Sequence, residues 1–338
     1  MAEGVRLAVV GATGAVGQEM LKVLAERNFK VKELIALADP REAGTKVVFC
    51  GEVITVQGAT PEAFKAADLA LFAVGTEVSQ ELAPQAVKRD CVVIDNSYAF
   101  RLTDRVPLVV PEVNPGDIEE HQGIIANPNC STIIMTVAIN PIHLAAGLKR
   151  VVVSTYQAVS GAGIAGLQEL EEHVRAWSRG ESIPPQVFQH PIEFNVIPHI
   201  DVFAEDNYTR EEMKMVWETR KIMHAPDLKI SATTVRVPVF RSHSESITLD
   251  LEKELSAEEV RELLKLAPGV IVQDDPTKNL YPMPLYSSDT DQVYVGRIRK
   301  DISSEHGIVL WVAADQIRKG AATNAIQIAE IVADKNLY

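Results

Sequence analysis

The chain has 338 residues, of which 46% are hydrophobic and 23% are charged, and its formal net charge is −13. This length favours two domains, and the composition supplies ample apolar material for their cores. The negative charge argues against binding to nucleic acid or to an anionic membrane surface, because both require clusters of basic residues. A small anionic substrate is not excluded, since a few local Arg and Lys side chains are enough to bind one.

The chain contains three cysteines, Cys50, Cys91 and Cys130. Their odd number and their spacing argue against a disulfide framework or a zinc site and indicate a reducing compartment. No apolar run approaches the ~18 residues of a membrane helix, and the N-terminal segment lacks the pattern of a signal peptide. We therefore expect a cytoplasmic protein.

The first part of the chain alternates strand-like and helical segments. Val5–Val10 is an almost continuous apolar run, typical of a strand buried on both faces, and a helical pattern follows at 18–27. Further strands are predicted at 34–38, 69–74 and 91–95, with helices at 61–67 and 79–89. This alternation predicts an α/β fold whose N-terminal domain is a Rossmann-like, doubly wound parallel sheet.

Three glycines, Gly11, Gly14 and Gly17, lie between the first strand and the first helix. Glycine lets a backbone turn tightly and approach a pyrophosphate, which then lies at the helix N-terminus. A plain strand–helix turn also needs small residues, but the strand, turn and helix together favour a dinucleotide site. The cofactor-binding residues predicted in this turn are Gly11, Thr13, Gly14, Ala15, Val16 and Gly17.

The second strand ends beside two residues that indicate different cofactors. Asp39 follows Gly17 by about 20 residues, the spacing of an acid that binds the ribose 2′-hydroxyl of NAD. Arg41 could instead pair with the 2′-phosphate of NADP. The residues themselves leave this choice open.

Cys130 lies where the loop Asn127–Asn129 becomes a helical pattern. The N-terminal turn of a helix carries unpaired N–H groups and the positive end of the macrodipole, and both favour a nucleophilic thiolate. A lone cysteine is more often an inert packed residue, which is how we interpret Cys50 and Cys91. The context of Cys130 makes it the candidate nucleophile.

Beyond Cys130 the segments become long, rich in β-branched residues and more regularly alternating. Strands are predicted at 150–158, 232–240, 246–251, 292–298 and 307–313. Helices are predicted at 166–179, 209–224, 256–266 and 321–333. This pattern indicates an α+β domain with a mixed, largely antiparallel sheet, and the prolines of residues 180–207 predict an extended excursion.

Several stretches together resemble the aspartate-β-semialdehyde dehydrogenases, in family order and from Val5 to the C-terminus. They are residues 11–17, 95–97 with Arg101, 127–132, 155–163, 195–198, 211–221, 236–239 with 243–244, and 315–322. The resemblance implies NADPH-dependent, reversible reductive dephosphorylation of L-aspartyl-4-phosphate to L-aspartate 4-semialdehyde, a step of lysine, threonine and methionine biosynthesis. It also implies a dinucleotide-binding domain over residues 1–130, completed by a C-terminal helix at 316–338, and a catalytic and dimerisation domain over residues 131–315.

The resemblance also implies the roles of the catalytic side chains. Cys130 is the nucleophile that forms a thioester, His243 is the general acid/base, and Gln157 orients the substrate. Histidine suits proton transfer because its unperturbed pKa lies near 6.5. By the same resemblance Ser160, Gly161 and Gln316 lie at the nicotinamide end of the cofactor, although the family often has Asn where this chain has Gln316.

The charged groups of the substrate have implied partners as well. Arg236 binds the α-carboxylate, as a planar guanidinium can do with two hydrogen bonds. Glu211 meets the amino group, and Arg101, Lys214 and Asn96 form the phosphate site. Glu211 and Lys214 are three residues apart in a predicted helix, so they share one face, although an ordinary surface ion pair has the same spacing.

One departure from the family pattern affects the cofactor. The family often has Ser-x-Arg-Ser-Ala-Gly after the second strand, whereas this chain has Asp39 and Glu42 at the two serine positions. Two carboxylates near a 2′-phosphate are unfavourable. We therefore predict NADP as the cofactor with weaker selectivity than usual, and NAD as a possible alternative.

The alternatives are an N-acetylglutamyl-phosphate reductase and a non-catalytic paralogue that acts as a binding protein. The helix with Glu211 and Lys214 and the spacing from Arg236 to His243 favour the aspartyl enzyme. A non-catalytic paralogue should have lost a catalytic residue, and none is lost.

His190 and His199 fit no helical metal-binding spacing, so we predict no metal. We also predict a homodimer, from family habit, and a solvated His173.

Overall fold

The computed structural model describes residues 4–338, and the chain divides there into two compact units. The first unit runs to Asn129 and includes the C-terminal segment Ala321–Tyr338, and the second is Cys130–Gly320. Among the described residues, no helix is both long and apolar enough to cross a membrane.

The elements have the following bounds. The strands are β1 (Val5–Val10), β2 (Val31–Ala38), β3 (Lys46–Phe49), β4 (Glu52–Thr55), β5 (Gln57–Gly58), β6 (Leu69–Phe72), β7 (Val92–Asp95), β8 (Ile124–Ala126), β9 (Leu148–Gln157), β10 (Lys229–Arg236), β11 (His243–Leu251), β12 (Val270–Val272), β13 (Val293–Lys300) and β14 (Gly307–Ala314). The helices are α1 (Ala15–Glu26), α2 (Thr76–Val87), α3 (Cys130–Ala146), α4 (Gly163–Ser178), α5 (Arg210–Ile222), α6 (Ala257–Lys265), α7 (Pro284–Ser287) and α8 (Thr323–Asp334).

The first unit is built on a six-stranded sheet in the order β5-β2-β1-β6-β7-β8, with every pairing parallel. Helices α1 and α8 share a core with one face of the sheet, and α2 packs on the other. The apolar run of β1 follows from this two-sided burial. The predicted doubly wound parallel sheet is confirmed, and the strand order reverses beside β1, where such folds bind ligands.

The second unit carries a six-stranded sheet in the order β10-β9-β11-β14-β13-β12. The outer pairs β9/β10 and β12/β13 are parallel, and the three central pairings are antiparallel. Helices α3, α5 and α6 contact this sheet and α3 contacts both of the others. The predicted mixed, largely antiparallel sheet is therefore confirmed.

Two local predictions were wrong. Cys50 is exposed rather than packed, because it lies in the turn of the β3–β4 hairpin, where its φ is 48°. His173 is buried rather than solvated, because its Nδ1 atom pairs with Glu193 at 2.7 Å. Cys91 is buried as predicted, and that burial raises the pKa of its thiol to about 12.

Candidate active site

The cysteine singled out by the sequence is the first residue of α3 and is partly exposed. Its sulfur therefore lies at the helix end where backbone N–H groups and the macrodipole stabilise negative charge. The backbone of Gly320 packs closely against it, since a Cβ atom at Gly320 would lie 2.9 Å from the Cβ of Cys130. The chain thus combines an electrostatically favourable helix end with tight backbone packing at Cys130.

Three predicted site residues lie at the same end of neighbouring strands in the second sheet. The parallel strands β9 and β10 end at Gln157 and Arg236, which are paired in register, and the antiparallel β11 begins at His243. All three side chains are buried. The strand directions therefore bring together residues that are far apart in the sequence.

Gln157 is held by two hydrogen bonds. Its Nε2 atom donates to Oγ of Ser131 at 2.8 Å and to Oε1 of Glu211 at 3.2 Å. Ser131 directly follows Cys130, so the amide of Gln157 is tied to the first turn of the cysteine helix. Ser131 was not predicted from the sequence, although its position beside the nucleophile was a usable signal.

Glu211 and Lys214 face the same side of α5, as their spacing predicts. The helix starts at a capping box in which Thr209 and Glu212 satisfy each other's backbone N–H groups. Lys214 Nζ donates to Glu211 at 3.1 Å and to Asp201 at 2.7 Å. Burial alone would lower the pKa of Lys214, but the two carboxylates outweigh it and raise that pKa.

Arg236 has one end of its guanidinium fixed. Its Nη1 atom donates to the carbonyl oxygen of Ala158 at 2.7 Å, which leaves other N–H groups for a ligand. Burial lowers the pKa of Arg236, and the negative charges of Glu211 and Cys130 partly offset this. A Cβ at Gly161 would lie 2.6 Å from this Nη1, so the glycine leaves room for the guanidinium.

His243 is oriented by the backbone. Its Nδ1 atom accepts a hydrogen bond from the N–H of Ala158 at 3.0 Å, so the neutral ring carries its proton on Nε2. Within residues 4–338, Nε2 has no hydrogen-bond partner. Burial and the nearby Arg236 hold the pKa of His243 well below its ordinary value of 6.5. The ring is therefore a neutral donor at neutral pH.

Ser160 and Gln316, both predicted at the nicotinamide end of the cofactor, contact each other. Gln316 Nε2 donates to Oγ of Ser160, and its Oε1 accepts the backbone N–H of Ser242 at 2.9 Å. Gln316 thus links the turn after β9 to the residue before His243. A shorter Asn at this position would reach one partner less easily.

The glycine turn in the first unit has the shape that a pyrophosphate needs. Gly11 adopts a positive φ of 84°, and a Cβ at Gly17 would lie 2.0 Å from the carbonyl oxygen of Gly11. Gly14 is the residue before α1, so the helix N-terminus opens directly onto the turn. These residues fit a bound dinucleotide, because the turn has no side chain at Gly11, Gly14 or Gly17 and leads directly into the N-terminus of α1.

The end of β2 is acidic. The side chain of Arg41 donates twice to Asp39, at 2.9 and 2.8 Å, and Thr13 donates to Glu42 at 2.7 Å. This pairing lowers the pKa of Asp39. The adjoining cavity of about 550 Å³ is lined by the glycine turn and by three carboxylates, those of Asp39, Glu42 and Glu81.

Asn96 and Arg101, predicted for the phosphate site, contact each other within the first unit. Arg101 Nη2 donates to the carbonyl oxygen of Asn96 at 2.7 Å, and Asn96 Oδ1 accepts from Asn127 at 2.7 Å. Arg101 is buried.

His199, weighed above as a metal ligand, stacks on Phe203. In the described part of the chain, no group of His, Cys, Asp and Glu side chains is arranged so that it could hold a metal ion.

A glycine turn on a parallel sheet and a cysteine helix on a mixed sheet are the two parts of a semialdehyde dehydrogenase. Residues 6–121 match the family model "Semialdehyde dehydrogenase, NAD binding domain", and residues 139–319 match "Semialdehyde dehydrogenase, dimerisation domain". The chain is 56% identical to the aspartate-semialdehyde dehydrogenase of Aquifex aeolicus over 338 residues, 99% of each chain. The chain belongs to the aspartate-semialdehyde dehydrogenase family.

Solved structures agree with this assignment. Aspartate semialdehyde dehydrogenase II of Vibrio cholerae, complexed with ASA, superposes with a TM-score of 0.96 at 45% identity and 98% coverage of both chains. The aspartate semialdehyde dehydrogenase of Candida albicans, solved with NADP, has a TM-score of 0.78 at 27% identity, with 99% of this chain and 100% of that chain covered. The nearly complete coverage shows that both units belong to the shared fold.

Proposed function

We propose that the chain catalyses the reversible reductive dephosphorylation of L-aspartyl-4-phosphate to L-aspartate 4-semialdehyde. The observation that carries this proposal is the position of Cys130 at the start of α3, in the same unit as a sheet edge that presents Gln157, Arg236 and His243. The names of the relatives support the same activity. The product serves the biosynthesis of lysine, threonine and methionine.

Cys130 is the nucleophile of the first step. Its thiolate attacks the acyl carbon of the acyl phosphate, an S–C bond forms, and the C–O bond to phosphate breaks as phosphate leaves. The start of α3 stabilises the thiolate, and Gln157, tied to Ser131, orients the acyl group beside it. The product of this step is a thioester on Cys130.

The second step reduces the thioester. The nicotinamide cofactor, when bound, supplies the hydride. The C–S bond then breaks, the aldehyde leaves, and Cys130 returns to the thiolate, so the overall reaction takes up one proton, which ends on the phosphate. His243 acts through Nε2–H, which hydrogen-bonds to the charge that develops at the reacting oxygen and mediates proton transfer.

The charged side chains select the substrate. Arg236 binds the α-carboxylate, Glu211 binds the α-ammonium group, and Lys214 binds the phosphate. An N-acetylated substrate has no ammonium group, so it would leave the buried carboxylate of Glu211 facing a neutral amide. Glu211 therefore favours the aspartyl substrate over N-acetylglutamyl phosphate.

NADP is the proposed cofactor, with NAD as an accepted alternative. Arg41 is the only basic residue in the stretch 39–44, and Asp39 engages it through two hydrogen bonds. That pair is exposed and therefore weak, so a 2′-phosphate can compete for Arg41. Asp39 and Glu42 would still lie near the phosphate and repel it. Weak selectivity for NADP follows from this balance.

A cytoplasmic homodimer completes the proposal. The second unit matches a model described as a dimerisation domain, which supports self-association. The cysteine content supports the compartment. Size-exclusion chromatography with light scattering tests the dimer, and a mass of one chain would contradict it.

The activity is tested by following phosphate-dependent reduction of NADP or NAD in the presence of aspartate semialdehyde. The wild type should be active, and Cys130→Ser should keep less than about a hundredth of its kcat, because the serine hydroxyl is a far weaker nucleophile. Cys50→Ser, at an exposed hairpin, is the matched control and should behave as wild type. An active Cys130→Ser enzyme would rule out the covalent mechanism, and an inactive wild type would rule out the function.

A further inference from the structure

Residues 180–207, here called the Pro-rich segment, connect α4 to the start of α5. One carboxylate on α4 holds its first part: Glu169 accepts the backbone N–H groups of Gln186 at 2.8 Å, of Val187, and of Phe188 at 3.3 Å. Glu169 is buried. A buried carboxylate with three backbone donors fixes the path of the chain at Phe188.

Further contacts anchor the same segment. His173, also on α4, pairs with Glu193 at 2.7 Å. Ile192 and Ile197 pack with Val159 and Leu170 in a small apolar core, and Phe188 packs against that core. The Pro-rich segment is thus docked by both polar and apolar contacts, although it contains no strand and no α-helix.

The docked segment reaches Arg236 in two ways. Ile197 and Arg236 exchange both backbone hydrogen bonds, at 2.9 and 2.8 Å. The ring of Phe188 lies with its centroid 5.8 Å from Cζ of Arg236, within the range of a cation–π contact. The ring is also close to α4, since a Cβ at Gly166 would lie 3.1 Å from Cζ of Phe188.

We propose that Phe188 is a positioning residue for Arg236 and that Glu169 holds Phe188 in place for this purpose. A buried guanidinium has lost water on its faces, and an aromatic ring replaces part of that solvation without competing for its N–H groups. Ala158 fixes one end of the guanidinium through Nη1. Phe188 then restricts the plane of the group, so that the remaining N–H groups are preorganised for a carboxylate.

This proposal rests on the proposed function, because it takes the α-carboxylate of aspartate semialdehyde as the ligand of Arg236. It predicts an effect confined to one end of the substrate. Phe188→Leu should raise the KM for aspartate semialdehyde about tenfold, which is the change in affinity expected for the loss of one cation–π contact. The KM for phosphate and the kcat should stay within about threefold of the wild-type values. Phe188→Tyr keeps the ring and should stay close to wild type.

A substrate without the carboxylate separates positioning from a general structural role. With 3-aminopropanal, which lacks that group, wild type and Phe188→Leu should have the same kcat/KM. An equal loss with both aldehydes, or no loss with aspartate semialdehyde, would overturn the proposal. An inactive wild type would instead overturn the proposed function.

Glu169→Gln provides a second, independent variant. It keeps the size of the side chain but removes the charge that attracts three N–H donors. It should show the same selective rise in the KM for aspartate semialdehyde, with a smaller magnitude than Phe188→Leu. Thermal melting of each variant checks folding, and Glu171→Gln, an exposed neighbour on the same helix, is the matched control. A Glu169→Gln variant that folds and keeps the wild-type KM would also contradict the proposal.

Discussion

The backbone N–H of Ala158 donates a hydrogen bond to Nδ1 of His243 over 3.0 Å, across 85 positions of sequence. The carbonyl oxygen of the same residue accepts from Arg236 at 2.7 Å. The backbone of Ala158 therefore fixes both the tautomer of His243, the proposed acid/base, and one end of the guanidinium of Arg236, the proposed binding group for the substrate carboxylate. Because neither bond involves the side chain of Ala158, its identity in the sequence gives no sign of either role.

The first prediction concerns the protonation of His243. A lowered pKa means that the neutral ring persists as pH falls through 6.5, and the Ala158 bond places its proton on Nε2. Nitrogen-15 NMR of histidine-labelled protein should show one set of imidazole nitrogen signals that remains typical of the Nε2–H tautomer from pH 8 down to well below 6.5. His243→Asn identifies that set by removing it. A ring that becomes doubly protonated near pH 6.5 would contradict the prediction.

The second prediction concerns Glu245, two residues after His243 on β11. Its side chain is buried, neither carboxyl oxygen has a hydrogen-bond partner in the described chain, and burial raises its pKa well above the ordinary 4.5. The folded protein therefore keeps a proton that the unfolded chain releases above pH 4.5. The contribution of Glu245 to the free energy of unfolding therefore falls as pH rises from 4.5 to its folded-state pKa.

Glu245→Gln removes this linkage. The variant should gain stability relative to wild type as pH rises, by up to about 1.4 kcal/mol per pH unit within that window. Denaturant unfolding of both proteins between pH 5 and 8.5 measures the difference. Glu305→Gln, at an exposed loop position, is the control and should leave the pH dependence unchanged. A constant difference between Glu245→Gln and wild type across this range would show that Glu245 is ionised in the fold.

The third prediction concerns the cofactor. The wild type should prefer NADP over NAD by less than about 1000-fold in kcat/KM. That limit corresponds to a difference of ~4 kcal/mol in activation free energy. Replacing Asp39 and Glu42 by Ser frees Arg41 and removes two negative charges near the 2′-phosphate. The ratio of kcat/KM for NADP to that for NAD should rise by about 10- to 100-fold.

Glu33→Ser is the control for this change, because it removes one carboxylate near the opposite end of β2. Its ratio should match that of wild type. If the double variant keeps the wild-type ratio, Asp39 and Glu42 do not contact the ribose end of the cofactor.

The fourth prediction concerns the packing of Cys130. A Cβ at position 320 would lie 2.9 Å from the Cβ of Cys130, too close for either group to stay in place. Gly320→Ala should therefore lower kcat by about 10- to 100-fold, because displacing a reacting group by roughly 1 Å has an effect of that size. Gly116→Ala, where nothing lies within 4 Å of the added atom, should be neutral. Equal kcat values for the two variants would rule out the close packing.

The sequence by itself determined the features that local patterns encode. The apolar β1, the glycine turn and the amphipathic helix α1 follow from neighbouring residues, so the parallel α/β unit was predictable. The alternation of β9 and β11 likewise predicted a mixed sheet, and the position of Cys130 at a helix start was visible from its neighbours. The resemblance to a family then assigned roles to these positions.

Only the tertiary structure decided which distant groups meet. The support of Arg236 by Phe188 and Ala158 depends on packing between elements far apart in the sequence. The burial of His173 depends on the path of the Pro-rich segment, whose Glu193 pairs with it. Each of these contacts is set by which strand lies beside which and by the path of the Pro-rich segment, and a periodic pattern carries no information on either. Arg41 and Asp39 are close in sequence, yet the bond between them also needed the structure, because side-chain direction is decided by the folded turn.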